Sequence, residues 1–188
     1  HDGHLADAWL GRGLARIRLG DLFGGRDDLF RAAGLEPERA VVRAYLGKAF
    51  AETGDAKHAV EELGWARRLD ARDPTPPLYL ALEWNRQNRV NEAIDELERS
   101  QALNDDRRVY RSRFLLDLDQ AVRGASLASI YRRAGLDEVA VREASRAAGL
   151  DYANYSAHQF LAESLDARRD PARVNLRYET PWSVEHLL

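Results

Sequence analysis

Small residues recur along this chain at an interval of 34, and no other feature restricts its fold so far. Gly13, Gly47 and Ala81 form one column, Gly20, Gly54 and Asn88 a second, and Gly25, Ala59 and Ala93 a third. Bulky residues keep step: Leu29, Leu63 and Leu97 share a column, Phe50 and Trp84 another, and Ala32, Ala66 and Ser100 close the unit. A repeat of this length is one supersecondary unit that buries its apolar face by stacking on its neighbours. In the second unit Val42, Leu46, Ala49 and Phe50 fall on one face at helical spacing. Thr53-Gly54-Asp55 then makes a turn, and Ala59, Leu63 and Ala66 form the stripe of a second helix. Two antiparallel helices approach closely only where Gly or Ala meets the neighbouring backbone, with Leu or aromatic residues filling the flanking grooves. The pattern predicts an all-α chain of stacked helix pairs. Asp73-Pro74-Thr75-Pro76 predicts Thr75 as a helix cap with Pro76 in the first turn, and Asp170-Pro171 repeats the device.

These columns resemble the tetratricopeptide repeat family over nearly the whole chain. The resemblance rests on Trp9, Gly13, Gly20, Gly25, Leu29, Ala32 and Pro37 in the first unit and on Leu46, Gly47, Phe50, Gly54, Ala59, Leu63 and Ala66 in the second. It continues through Leu80, Ala81, Trp84, Ala93 and Leu97, then Leu127, Ala128, Tyr131, Gly135, Ala140, Ala144 and Ala147. A junction at 150–158, with Tyr152 where proline is commoner, leads into Leu161, Ala162 and Leu165. The resemblance implies a right-handed superhelical solenoid of antiparallel helix pairs. Three pairs are expected over 1–106, an insertion over 107–119, and a fourth pair with the first helix of a fifth over 120–170. An extension over 171–188 is expected to continue in the natural chain, because Ser183 to Leu188 read as the start of another amphipathic helix.

The insertion breaks the rhythm. From Ala93 to Ala140 is 47 residues, 13 more than the repeat requires. In Arg107 to Asp119, Tyr110, Ser112, Phe114, Leu116 and Leu118 alternate with Val109, Arg111, Arg113, Leu115, Asp117 and Asp119, closer to a period of two than to a helical one. An irregular or extended segment is therefore expected. It could be a linker that fills a gap between pairs, an arm that meets a partner, or a helix with its own phase running into 121–133. Between Tyr110 and Ser164, VYRSRFLLDLD, SIYRRAGL and NYSAHQFLAES also resemble bacterial envelope proteins whose repeats sit beside an outer-membrane β-barrel region or a regulator-like domain. The continuation after Asp166 departs from that group.

Composition excludes several kinds of work. With no cysteine there is no disulfide, thiolate nucleophile or thiolate zinc site. Lys and Arg number 28 against 31 Asp and Glu, for a net charge of −3 with the signs interspersed, which opposes a nucleic-acid or anionic-membrane surface. No run reaches the roughly 20 apolar residues of a membrane helix. Five histidines are scattered, His158 reading as a packed residue beside no nucleophile, and His1 and His4 lying at the chain end. Gly24-Gly25-Arg26 lacks the Lys-Ser/Thr of a phosphate loop, and Asn154 reads as a helix cap. Glu61-Glu62 and Asp105-Asp106 read as solvated. No catalytic residue, metal ligand or cofactor is expected.

What remains is a surface for another protein. By resemblance the first helix of each pair lines a concave face, with Leu10, Leu14, Ile17 and Arg18, then Val41, Ala44, Tyr45 and Lys48, then Leu78, Tyr79, Leu82, Asn85 and Arg86. Ser129, Arg132, Arg133, Gln159 and Glu163 follow in the later units. Leu10, Ala44 and Leu78 stand where chaperone-binding members carry the polar grips for a terminal carboxylate, so that activity is not implied. The partner-binding residues expected are Leu14, Tyr45, Lys48, Leu78, Tyr79, Leu82, Arg86 and Arg132, with Tyr110 and Phe114 as a second contact. The expectation is a non-enzymatic scaffold in a bacterial envelope assembly, periplasmic or envelope-associated with cytoplasm as the alternative, binding a partner peptide or helix. A rigid spacer attached to a β-barrel or other region is the other reading. Val174, Leu176, Tyr178, Trp182, Leu187 and Leu188 make the C-terminal end apolar and imply a cover for it.

Overall fold

The computed structural model describes residues 3–104 and 113–168, with the backbone alone at 3–4, 104, 113–122 and 166–168. Among these residues all regular structure is helical: α1 Gly3–Arg18, α2 Leu22–Leu35, α3 Ala40–Glu52, α4 Ala56–Leu69, α5 Thr75–Arg86, α6 Val90–Asn104, α7 Arg113–Arg133, α8 Asp137–Leu150 and α9 Tyr155–Arg168. The chain forms two compact units, His1–Gln87 and Asn88–Leu188, the division falling between the helices of the third expected pair.

In the first unit α1 packs on α2 and α3 on α4, with α5 against both α3 and α4. The small-residue columns are the seams of the pairs. A Cβ on Gly25 would stand 2.7 Å from the Gly13 carbonyl oxygen, and one on Gly47 would stand 3.1 Å from that of Ala59 and 2.7 Å from Leu63 Cγ. The Gly20 column is conformational instead. Gly20, Gly54, Asn88 and Gly135 have φ of 93°, 84°, 60° and 76°, the left-handed region that ends a helix and that Gly, then Asn, adopts most readily. One residue later Asp21 accepts from the Gly24 amide at 2.9 Å and Asp55 from the His58 amide at 3.2 Å, capping α2 and α4. The α5 start differs from expectation. The Asp73 carboxylate, not Thr75, is the acceptor, taking the Thr75 amide at 2.9 Å, because the helix already begins at Thr75. Leu29, Val42, Leu46 and Ala49 form a core on which Trp9, Ile17, Tyr45 and Phe50 pack. Complete burial of a side chain such as Leu29 or Leu46 stabilises by about 1.5–3 kcal/mol.

Charge tightens each pair. Arg12 grips the buried Asp28 through two bonds of 2.6 and 2.8 Å, and Arg16 adds a third at 3.0 Å. The Arg12 bonds, assisted by the nearby arginine charges, hold the Asp28 carboxyl below the usual carboxylate range. At the equivalent place in the second pair, both Glu62 oxygens accept from Arg43 at 3.0 and 3.2 Å, so Glu62 is paired and mostly buried where a solvated residue was expected. Arg43 also donates to the Pro37 carbonyl at 2.8 Å and lies 4.0 Å from the centre of the Trp65 ring.

In the second unit α7 packs on α6, α8 and α9. Helix begins at Arg113, which corrects the extended reading for 113–119. So short an alternation fits either period, and with no Gly or Pro until Gly124 the Leu- and Arg-rich run extends the following helix backwards. Residues 105–112, including Tyr110, lie outside the described residues, as do Asp105-Asp106 and the apolar residues of 171–188. Ala128 and Ala140 form the seam equivalent to Gly13 and Gly25, and Ala125, Ala147, Ala148 and Ala157 build a core with Phe160. Buried Arg123 donates to Ser100 Oγ at 2.9 Å, and the Tyr131 hydroxyl donates to Glu98. Burial, then the Glu98 carboxylate, raises the Tyr131 hydroxyl well above its ordinary value. Asn154 caps α9 as expected, accepting from the Ala157 amide at 3.1 Å.

Candidate partner-binding groove

Of the residues expected to meet a partner, seven stand on α1, α3 and α5 of the first unit. Leu14 and Lys48 line one cavity of about 650 Å³, together with Ile17, Arg18, Leu22 and Glu52. The walls are apolar because α1 presents Leu14 and Ile17, one turn apart, and α2 adds Leu22. The mouth is charged. Lys48 Nζ stands 3.7 Å from Glu52 Oε1 and 5.4 Å from the centre of the Tyr79 ring, within cation–π reach, so α3 and α5 are tied at this surface. Tyr79, Leu78 and Leu82 are half-buried on α5, and Arg86 donates to the Ala51 carbonyl at 2.9 Å, where a cation meets the C-terminal end of α3.

Other expected contributors are placed differently. Tyr45 packs on the core formed by Leu29, Val42 and Leu46, leaving only part of the ring at the surface, and Ala44, expected on the same face, is fully buried. Arg132 belongs to the second unit, where it pairs with Glu163 of α9 at 2.7 Å. Phe114 lies in α7 of the second unit, and Tyr110 lies outside the described residues. His158 is a packed residue, its Nε2 2.9 Å from the Tyr152 carbonyl oxygen, which accepts from the Nε2–H tautomer.

Sequence reasoning missed Glu52. Its Oε2 is buried with no hydrogen-bond donor, and so is Asn85 Oδ1 on α5. The signal was available, since Arg18, Glu52 and Arg86 occupy one column and alternate in sign along it. Nothing in this arrangement is a nucleophile held against a base, and no group of three or more metal-ligating side chains occurs among the described residues. An apolar hollow with a charged mouth can hold a side chain of another polypeptide.

No family model and no curated relative matches the sequence. Solved structures do. A chain of the APC/C hetero-tetramer Cut9–Hcn1 superposes with a TM-score of 0.77 at 18% identity over 89% of this chain. The fold is that of the tetratricopeptide solenoids. PilF of Pseudomonas aeruginosa matches over 90% of this chain and 72% of its own with a TM-score of 0.75 at 19% identity. MamA of Desulfovibrio magneticus matches over 100% and 92% with a TM-score of 0.67 at 18% identity. This chain spans only 31% of the Cut9–Hcn1 chain it resembles. At such identities the tetratricopeptide likeness is one of architecture.

Proposed function

We propose that this chain is a non-catalytic scaffold that binds a segment of another protein along α1, α3 and α5. One observation carries the reading: Leu14 and Lys48, on different helices, meet around a single apolar cavity whose mouth adjoins Tyr79. An amphipathic helix or extended apolar peptide suits such a surface better than a charged tail. The hetero-tetrameric Cut9–Hcn1 assembly, in which a chain of this fold stands beside another protein, agrees with the same kind of work.

The proposed setting is a bacterial envelope assembly, periplasmic or envelope-associated, on the resemblance of the segments between Tyr110 and Ser164 alone. Co-purification from the source after mild detergent extraction, with each stoichiometric component identified by mass, tests both parts. Once a partner is in hand, Tyr79→Ala combined with Arg86→Ala is expected to weaken binding at least about tenfold, as central aromatic and arginine contacts do. Unchanged affinity, with helicity retained by circular dichroism, rejects the groove.

A rigid spacer is the second reading. It is favoured by the internal engagement of three expected contact cations, Lys48 with Glu52, Arg86 with the Ala51 carbonyl and Arg132 with Glu163. Recovery of the same chain without a stoichiometric partner would put this reading first.

A further inference from the structure

The repeat register continues into the second unit, and one of its positions there carries no side chain. Counted from the left-handed turn residue, Gly124 stands where the first two pairs have Trp9 and Arg43, and Glu143 stands where they have Asp28 and Glu62. Arg146 takes the place of Arg31 and Trp65. In the second pair the Arg43 side chain fills this position and satisfies both oxygens of Glu62. In α7 and α8 glycine leaves a cavity of about 270 Å³, bounded by Glu98, Gln101, Gly124, Glu143, Arg146 and Leu150.

The carboxylate that belongs to this column is left incomplete. Glu143 Oε2 is buried without a hydrogen-bond donor, and Arg146 Nη1 stands 4.0 Å away, beyond hydrogen-bond length. Glu98, also at the cavity, already accepts the Tyr131 hydroxyl. Two carboxylates against one guanidinium leave the lining formally negative. Filling the hollow with an apolar group would keep the Glu143 oxygen unsatisfied, and a neutral donor would leave the negative lining uncompensated, whereas a guanidinium supplies both charge and donors, as Arg43 does by sharing Nη1 between the two Glu62 oxygens while its Nε bonds to the Pro37 carbonyl.

We propose that this cavity receives an arginine side chain of a partner protein, its guanidinium taking the place that Arg43 occupies in the second pair and bonding to Glu143. The site is separate from the groove on α1, α3 and α5 and does not depend on the function proposed for it. An arginine-bearing segment is thereby distinguished from a lysine-bearing one, because a guanidinium brings three separate nitrogens to a lining that includes Glu143, Glu98 and Gln101, where an ammonium brings one.

Titration of N-acetyl-arginine methylamide into the isotopically labelled chain, followed by the amide resonances of Gly124, Glu143 and Ala147, tests this directly. Saturable shifts are expected with a dissociation constant on the order of millimolar, as befits one side chain. The lysine counterpart should bind at least about fivefold more weakly and the neutral citrulline counterpart not saturably. Glu143→Gln should abolish the response while leaving the thermal midpoint nearly unchanged. Gly124→Arg should abolish it by supplying the guanidinium internally. A Cβ at 124 would stand 3.1 Å from Ala147 Cβ, so the reverse variant guards against misfolding: Arg43→Gly should create a second arginine-responsive site beside Glu62. Absence of saturable shifts in the unmodified chain, an equal response to citrulline, or retention of binding in Glu143→Gln overturns the proposal.

Discussion

In the first helix pair a tryptophan on α1 lies beneath an arginine on α2, with Arg31 4.7 Å from the centre of the Trp9 ring. In the second pair the same two positions carry the arginine on α3 and the tryptophan on α4, Arg43 lying 4.0 Å from Trp65. The carboxylate beside them is served differently in consequence. Asp28 is short and draws on Arg12 and Arg16, further along α1, because Trp9 occupies the nearer place. Glu62 is one methylene longer and takes Arg43 itself. These two pairs therefore share a place where a cation, a ring and a carboxylate meet, and differ in which helix supplies which. The seam follows a stricter rule, since Gly25 and Ala59 differ by a single methyl at a backbone contact.

The sharpest way to break this equivalence is to enlarge the seam. Gly25→Val would drive a side chain into the Gly13 carbonyl, 2.7 Å from the new Cβ, and into Ile17 Cγ1 at 2.5 Å, and is expected to cost about 3 kcal/mol in urea unfolding. A smaller effect comes from the carboxylate. Asp28→Asn keeps the shape and removes the charge, for about 2 kcal/mol, a value held down because Arg12 and Arg16 remain half exposed. The folded carboxyl is held below its unfolded value, so its contribution is present above about pH 4 and is lost as pH falls through the folded value. Asp28→Asn should therefore flatten the acid limb of the stability profile as well as lower its plateau.

Exchanging the partners is the mildest perturbation and the most discriminating. Trp9→Arg with Arg31→Trp converts the first pair to the arrangement of the second and should leave stability within about 1 kcal/mol, with Asp28 still served from α1. Arg43→Trp with Trp65→Arg removes the guanidinium from which both Glu62 oxygens accept and should cost about 1 kcal/mol more than the first exchange. Equal losses in the two exchanges would mean that the cation–ring contact, and not the carboxylate, decides this position.

The seams and turns were legible because they depend on residue size and backbone conformation, which a glycine or alanine column reports without knowledge of any distant partner. The clamps were not, since Arg12 and Asp28 are 16 positions apart and meet only once the pair has closed. Glu62 looked like half of a solvated acidic doublet for the same reason. The alternation at Tyr110 to Leu118 misled because so short a run does not separate a two-residue period from a helical one, and α7 absorbs its second half. In the groove, the spacing of first-helix residues was enough to bring Leu14 and Lys48 together. It could not reveal that Tyr45 turns toward the core or that Lys48 and Arg86 already have intramolecular contacts.

The left-handed turns have a consequence for how such a chain can change over generations. Turn residue, cap and seam partners all lie within one interval of 34, so a gene segment duplicated or deleted between equivalent codons carries a complete set with it. An insertion of another length is compatible with the fold where it falls between sets and leaves each turn with the helices it joins. Among the four described turns, the 47 residues from Asn88 to Gly135 are the one interval that carries such a remainder.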